Sequence, residues 1–327
     1  MRNIYYCHRV NPERQFLRQK LLQLIILIFN MANWNQIQQD INNQGSTFDT
    51  TRKSYLKKIS AYTKRNTVVY YSAWLQKNSP EIAQALSIND NDTNGFMTAF
   101  NGLSFDKGLD LILHTPGGEV AATESIINYI KSKFADFRVI VPQLAMSGGT
   151  MIACSAKQIV MGNHSSLGPV DPQYNNIPAH GVIEEFNRAH EEIKADPSKL
   201  AVWQFILQKY NPSFIGECIK AVDWSRQILE ISLKDRMGKN VTEVKRISDE
   251  LCDHSVSLSH SRHLNKSKCK DIGLAIVDLE SDSKLQDLVL SYHHSMMITF
   301  SSTPAIKIIE NDKGRSFVQI AMMQNRN

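Results

Sequence analysis

Two stretches of the chain repeat one pattern: an apolar run, a glycine-containing turn, then small and apolar residues at helical spacing. The first is Leu109-Asp-Leu-Ile-Leu-His-Thr-Pro-Gly-Gly-Glu-Val120, and the second is Leu144-Ala-Met-Ser-Gly-Gly-Thr-Met-Ile-Ala153. Short apolar runs bounded by Gly and Pro read as buried strands. The pattern predicts a strand at 109–114, a turn at 115–118 and a helix at 119–134. A strand at 138–142, a helix at 147–156, a short strand at 158–161 and a loop at 162–172 follow. Upstream, Thr67-Val-Val-Tyr-Tyr-Ser-Ala-Trp74 is β-branched and aromatic, and reads as another strand. Strands alternating with helices of about 10–15 residues predict βαβ units, a parallel sheet, and the two turns side by side at one of its ends.

The rest of the chain reads as helical additions. Residues 33–65 are polar and helical in pattern, and 80–107 carries helix-like pieces. Helical patterns at 183–194 and 200–210 flank the break Ala195-Asp-Pro-Ser198, where Pro197 can start the second helix. Residues 214–237 form a long amphipathic helix with Ile215, Cys218, Ile219, Val222, Ile228 and Leu229 on one broad face. Residues 240–295 read as mostly helical, with a His-rich loop from His254 to His263. Ala305–Ile309 and Ser316–Ile320, around Asn311-Asp-Lys-Gly314, read as a hairpin. No flexible linker divides the chain, so residues 31–327 are expected to form one compact domain.

Composition narrows the class. With 327 residues, 42% hydrophobic, 21% charged and a net charge of +5, the chain is an ordinary globular protein. Its short, scattered Lys and Arg blocks describe a solvated face and no nucleic-acid groove. Five widely spaced cysteines without a CxxC indicate neither a disulfide framework nor a zinc site, which fits a reducing cytoplasm. Leu21–Phe29 is strongly apolar but nine residues long, where a membrane-spanning helix needs about 20. Met31 reads as the true start and residues 1–30 as an extension outside the native protein. A short anchor or signal, with membrane association through residues 21–29, and an ordinary packing segment are the alternatives.

The candidate chemistry lies in the two turns. Gly117 and Gly118 let the backbone approach a substrate closely, and N–H groups beside a helix start can stabilise an oxyanion. Alone, Pro116-Gly117-Gly118 is better explained by a tight turn. Ser147, alone, is better explained as a helix N-cap. Together, with Gly148 and Gly149 clearing space around the hydroxyl, they make a nucleophile beside an anion-binding backbone, the minimum for acyl transfer.

The pair His114-Thr-Pro-Gly-Gly118 and Ala145-Met-Ser-Gly-Gly-Thr-Met-Ile-Ala153 resembles the Clp-fold serine peptidases. It is most similar to the serine dehydrogenase proteinase family and more distantly similar to signal peptide peptidase A. Leu167-Gly-Pro-Val-Asp-Pro-Gln173 also resembles the first family. The resemblance implies a Clp/crotonase-like α/β fold with parallel βαβ units and added helices. It also implies Ser147 as nucleophile, an oxyanion hole at Gly117 and Gly118 with Gly148 as a further donor, a peptide or protein substrate, homo-oligomeric assembly, and no cofactor.

The base is open at this level. In Clp proteases a histidine follows the serine by about 25 residues, and here that slot holds Asp171-Pro172. His164 comes too early and reads as a loop residue, while Asp171 reads as capping the turn that Pro172 stiffens. The signal peptide peptidase pattern points to a lysine downstream, which makes Lys194 and Lys199 the candidates for a Ser-Lys dyad if one is desolvated. Lys209 is a third candidate, with Trp203 and Tyr210 pointing to a packed stem. His254, His260 and His263 lack the spacing and carboxylate of a metal site, so no metal is expected. The competing readings are a crotonase-like acyl-CoA enzyme, which needs no serine nucleophile, and a non-catalytic Clp-fold scaffold.

Overall fold

The computed structural model describes residues 48–77, 79–174, 177–238, 240–252 and 261–321. The expectations for residues 1–30, for 33–47, and for His254 and His260 lie outside them. Among the described residues no helix is long and apolar enough to cross a membrane.

Seven strands form the central sheet. They are β1 (Asn66–Ser72), β2 (Leu109–His114), β3 (Phe137–Val141), β5 (Ile159–Met161), β10 (Ile276–Asp278), β11 (Ala305–Asn311) and β12 (Ser316–Ile320), in the spatial order β10-β5-β3-β2-β1-β11-β12; the two-residue strands β4 (Leu144–Ala145), β6 (Ser166–Leu167), β7 (Gln173–Tyr174), β8 (Ile177–Pro178) and β9 (Leu264–Asn265) pair outside it. The run from β10 to β1 is parallel, in the register Val68↔Leu111↔Val139↔Ile159. Every residue of β1 and β2 is buried, because helices cover both faces; this is why these strands read as continuous apolar runs without alternation. The C-terminal hairpin closes one edge, with β11 antiparallel to β1 and Gly314 at φ +88° in its turn.

The two faces have separate cores. Val68, Tyr70, Leu111, Leu113 and Val139 face α3 (Asp92–Phe100), α4 (Val120–Lys133), α5 (Gly148–Cys154) and α8 (Phe214–Met237). Val69, Tyr71, Ile112, Ile140 and Val160 face α1 (Phe48–Thr63) and α11 (Ser283–Ser302). The short α2 (Ala83–Leu86) lies between β1 and α3. The added helices α6 (Ala179–Ala195), α7 (Leu200–Leu207) and α8 follow the crossovers. In α8, Ile228, Leu229 and Leu233 join the first core, so this helix lies over α5.

Several predicted boundaries shift by a few residues, and two differences matter for the architecture. The helix expected at 147–156 starts at Gly148, with Ser147 outside it. The region read as mostly helical over 240–295 contains α9 (Val241–Cys252), β9 (Leu264–Asn265) and α10 (Lys266–Asp271) before β10, the edge strand parallel to β5. Three residues of Ile-Val-Asp are too short a run to show a period. They become a strand because β5 presents an open edge to them.

Candidate active site

The C-terminal ends of β2 and β3 feed the two glycine turns, and short backbone contacts lock these together. Thr115 pairs with Ala145: its N–H donates to the Leu144 carbonyl at 3.1 Å, and the Met146 N–H donates to the Thr115 carbonyl at 3.0 Å. Gly117, at φ +93°, passes so close to Ser147 that a Cβ on it would lie 2.7 Å from the Ser147 Cβ and from the Met146 carbonyl. Only glycine fits there, for conformation and for space.

Ser147 has a strained backbone. It sits at φ +50°, ψ −111°, one of two described non-glycine residues at positive φ. Such a conformation costs roughly 1–3 kcal/mol and persists only where surrounding structure imposes it. Ser147 occupies the N-cap position of α5, yet its side chain makes no capping hydrogen bond. The N-cap explanation therefore fails, and the half-buried hydroxyl remains available at the start of a helix.

The backbone donors follow from strand geometry. The Gly117 carbonyl accepts from the Ile88 N–H at 2.7 Å, and the Glu119 N–H donates to the Ile88 carbonyl at 2.9 Å. In extended backbone, successive groups alternate direction, so the Gly118 N–H points away from Ile88. The Gly148 N–H, at the first position of α5, has no helical acceptor. A Cβ on Gly148 would stand 3.5 Å from the Gly118 nitrogen, which places the two amides beside each other. The Gly117 N–H is already used: it donates to Thr115 Oγ1 at 3.2 Å.

These groups open onto a cavity of about 1090 Å³. Its wall carries Pro116, Gly117, Gly118 and Glu119 from the first turn, Ser147, Gly148 and Met151 from the second, and Ala83, Gln84 and Ser87 from α2 and its end. Val170, Asp171 and Pro172 come from the loop after β6 (Ser166–Leu167), Gln173 and Tyr174 from the short strand that follows it, and Glu217, Lys220, Ala221, Trp224 and Ser225 from α8. That loop is fixed by Thr150, whose hydroxyl donates to the Gly168 carbonyl at 2.8 Å and accepts from the Gly168 N–H at 3.0 Å. Asp171 is 1% exposed. Burial, with Glu217 nearby, pushes the Tyr174 phenol above its usual range.

The structure thus brings Ser147, Gly117, Gly118 and Gly148 together and leaves the sequence-read lysines apart. Lys194, in the last turn of α6, and Lys199, just after it, are exposed and absent from the cavity wall; Lys199 pairs with Glu192 at 3.3 Å. Lys209 lies over the Phe205 ring at 5.4 Å and borders a separate, smaller cavity. His164 stands beside Glu280, 4.0 Å away, outside the Ser147 cavity. His263 is exposed. Among the described residues, no group of three His, Cys, Asp or Glu side chains is placed to hold a metal. Lys220, Glu217 and Trp224 were not legible as wall residues: nothing local in a polar helix face announces that it will roof a cavity built 70 residues earlier.

Parallel crossovers carrying a strained serine beside an amide pair define an α/β protein of the Clp type. Residues 17–311 match the family described as ClpP-like SDH-type serine proteinase, and the chain belongs to that family. It is similar to two uncharacterized proteins of Methanocaldococcus jannaschii. MJ0137 is 32% identical over 185 residues, 57% of this chain and 59% of the relative. MJ1495 is 30% identical over 205 residues, 63% of this chain and 64% of the relative. The chain therefore spans about three fifths of the length of the curated relatives it matches.

Proposed function

We propose that the chain is a serine peptidase in which Ser147 attacks the substrate carbonyl and forms an acyl-enzyme. The oxyanion is held by the Gly118 and Gly148 N–H groups, with Gly117 providing the close approach. The observation that carries this is the Ser147 hydroxyl itself: imposed at positive φ, capping nothing, and opening onto a cavity beside two unused amides. A crotonase-like acyl-CoA enzyme would use the amides but has no need of a strained serine. A fluorophosphonate probe is expected to label Ser147 in the intact protein and to leave Ser147→Ala unlabelled; a concentrated, assembled sample that takes no label overturns the reading.

The proton acceptor is proposed from the cavity wall, where Asp171 and Lys220 share the space with Ser147. Loss of labelling in Asp171→Asn with retention in Lys220→Met assigns the carboxylate, and the converse assigns the amine. Lys194 or Lys199 can complete a Ser-Lys dyad only if another copy presents it. That arrangement predicts activity when Ser147→Ala and a Lys194→Met, Lys199→Met double variant are mixed, each being inactive alone. Homo-oligomeric assembly is part of the proposal, with the exposed Leu200, Val202 and Phe205 of α7 as its apolar contact; light scattering reports the copy number.

A further inference from the structure

Buried polar side chains from β11, α3 and β1 gather on one face of the sheet against the backbone beside the first glycine turn. Lys307 of β11 is 0% exposed, and its ammonium donates to Asp92 Oδ1 at 2.7 Å and to the Ser87 carbonyl at 2.8 Å. Asp92, also 0% exposed, accepts from the Tyr70 hydroxyl at 2.8 Å and from the Asn89 N–H at 3.1 Å. Just after β2, Thr115 Oγ1 accepts from the Gly117 N–H at 3.2 Å. The donors are matched: Gly117 N–H to Thr115, Tyr70 O–H to Asp92, and Lys307 to Asp92 and the Ser87 carbonyl. The side chains of Thr115, Tyr70, Asp92 and Lys307 lie off the cavity wall.

What these side chains grip is informative. Lys307 and Asp92 hold the backbone at Ser87 and Asn89, the two neighbours of Ile88, and Ile88 is the residue that pairs with Gly118. Thr115 holds the amide of Gly117. Two buried polar groupings, Lys307–Asp92–Tyr70 on one side and Thr115 on the other, therefore fix both sides of the backbone pair that turns the Gly118 N–H toward the cavity. Buried networks are costly when partly satisfied and rigid when complete. A core that needed only volume at these positions would be served by apolar residues.

We infer that Thr115, Tyr70, Asp92 and Lys307 are positioning residues for the oxyanion turn, acting through Gly117 and Ile88 to aim the Gly118 N–H. The inference rests on the reading of Gly118 as an oxyanion donor. An interaction realised in the transition state alters the chemical step and leaves ground-state binding alone. These residues therefore govern the maximal rate of Ser147 modification and leave affinity unchanged.

The test uses saturation kinetics of fluorophosphonate labelling, with amide hydrogen exchange of the 113–119 segment, on the full chain. Thr115→Val and Tyr70→Phe are expected to lower the maximal labelling rate by about tenfold or more with apparent affinity within about twofold, since an oxyanion donor is misaimed and not deleted. Thr115→Ser, which keeps the hydroxyl, restores the rate. Exchange at 113–119 quickens in Thr115→Val and not in Thr115→Ser. Tyr71→Phe is the control: Tyr71 is buried on the other face of the same strand, and its hydroxyl meets His293 Nδ1 at 3.4 Å. Equal rate losses in Tyr71→Phe and Tyr70→Phe would reduce the effect to general stability and overturn the inference. So would unchanged exchange at 113–119 in Thr115→Val, whether or not the protein labels at all. Absence of label on the unsubstituted protein, with exchange responding as expected, would instead strike the peptidase reading and leave the grip of these residues on the turn standing.

Discussion

Replacing Ser147 with glycine and with alanine tests directly the strain at the position proposed for the nucleophile. Both substitutions remove the hydroxyl, and neither removes a hydrogen bond from the fold, because the side chain caps nothing. At an unstrained position glycine is less stable than alanine by roughly 0.5–1 kcal/mol, the entropy that the unfolded chain gains. At φ +50° the order reverses, since a Cβ at positive φ costs roughly 1–2 kcal/mol and glycine is exempt. The expected result is Ser147→Gly more stable than Ser147→Ala by about 0.5–1 kcal/mol, the strain less the entropy. Urea unfolding midpoints at constant m-value measure the difference, and both variants should be unlabelled by fluorophosphonate. A glycine variant less stable than the alanine variant would mean that nothing holds residue 147 in a costly conformation. The account of Ser147 as an imposed nucleophile would then lose its foundation.

Other expectations are equally specific. Gly118→Ala puts a Cβ into the Ile88 backbone, with the Ile88 Cα at 2.7 Å, so the Ile88 pairing must open; labelling should fall about 10²-fold or more and stability by about 1–3 kcal/mol, read by probe kinetics and urea melts. His114 is fully buried and held neutral, its pKa pushed down to about 3 by burial against an ordinary 6.5. The unfolded chain binds the proton first as pH falls, so this stability is complete above about 6.5 and is lost progressively toward about 3. At pH 5 the loss is about 2 kcal/mol. His293, shifted the same way by burial, adds to it, and His114→Gln should flatten the pH dependence of the urea midpoint between 7 and 5. Arg52→Met leaves Glu310, 0% exposed, without the guanidinium that binds its Oε1 at 2.7 Å; unfolding should become easier by about 3–5 kcal/mol, less what Tyr292 and Ser316 retain by still donating to that carboxylate.

Sequence alone determined the local units. Strand, turn and helix at 109–134, the long helix at 214–237 and the C-terminal hairpin were legible because period, proline position and glycine conformation act within a few residues. The same locality marked Gly117, Gly118, Ser147 and Gly148 as a possible site, since a bare backbone beside a hydroxyl is written in adjacent letters. Tertiary structure decided the rest. It set Ile88 against Gly118, made a parallel edge strand of Ile276–Asp278, laid the Glu217–Ser225 face of α8 over the cavity, and left Lys194 and Lys199 on the outside. It also buried Lys307 against Asp92, a pairing across 215 residues. Such contacts depend on strand register and on which helix packs where, and these follow from the whole core closing at once; no short window of sequence contains that information.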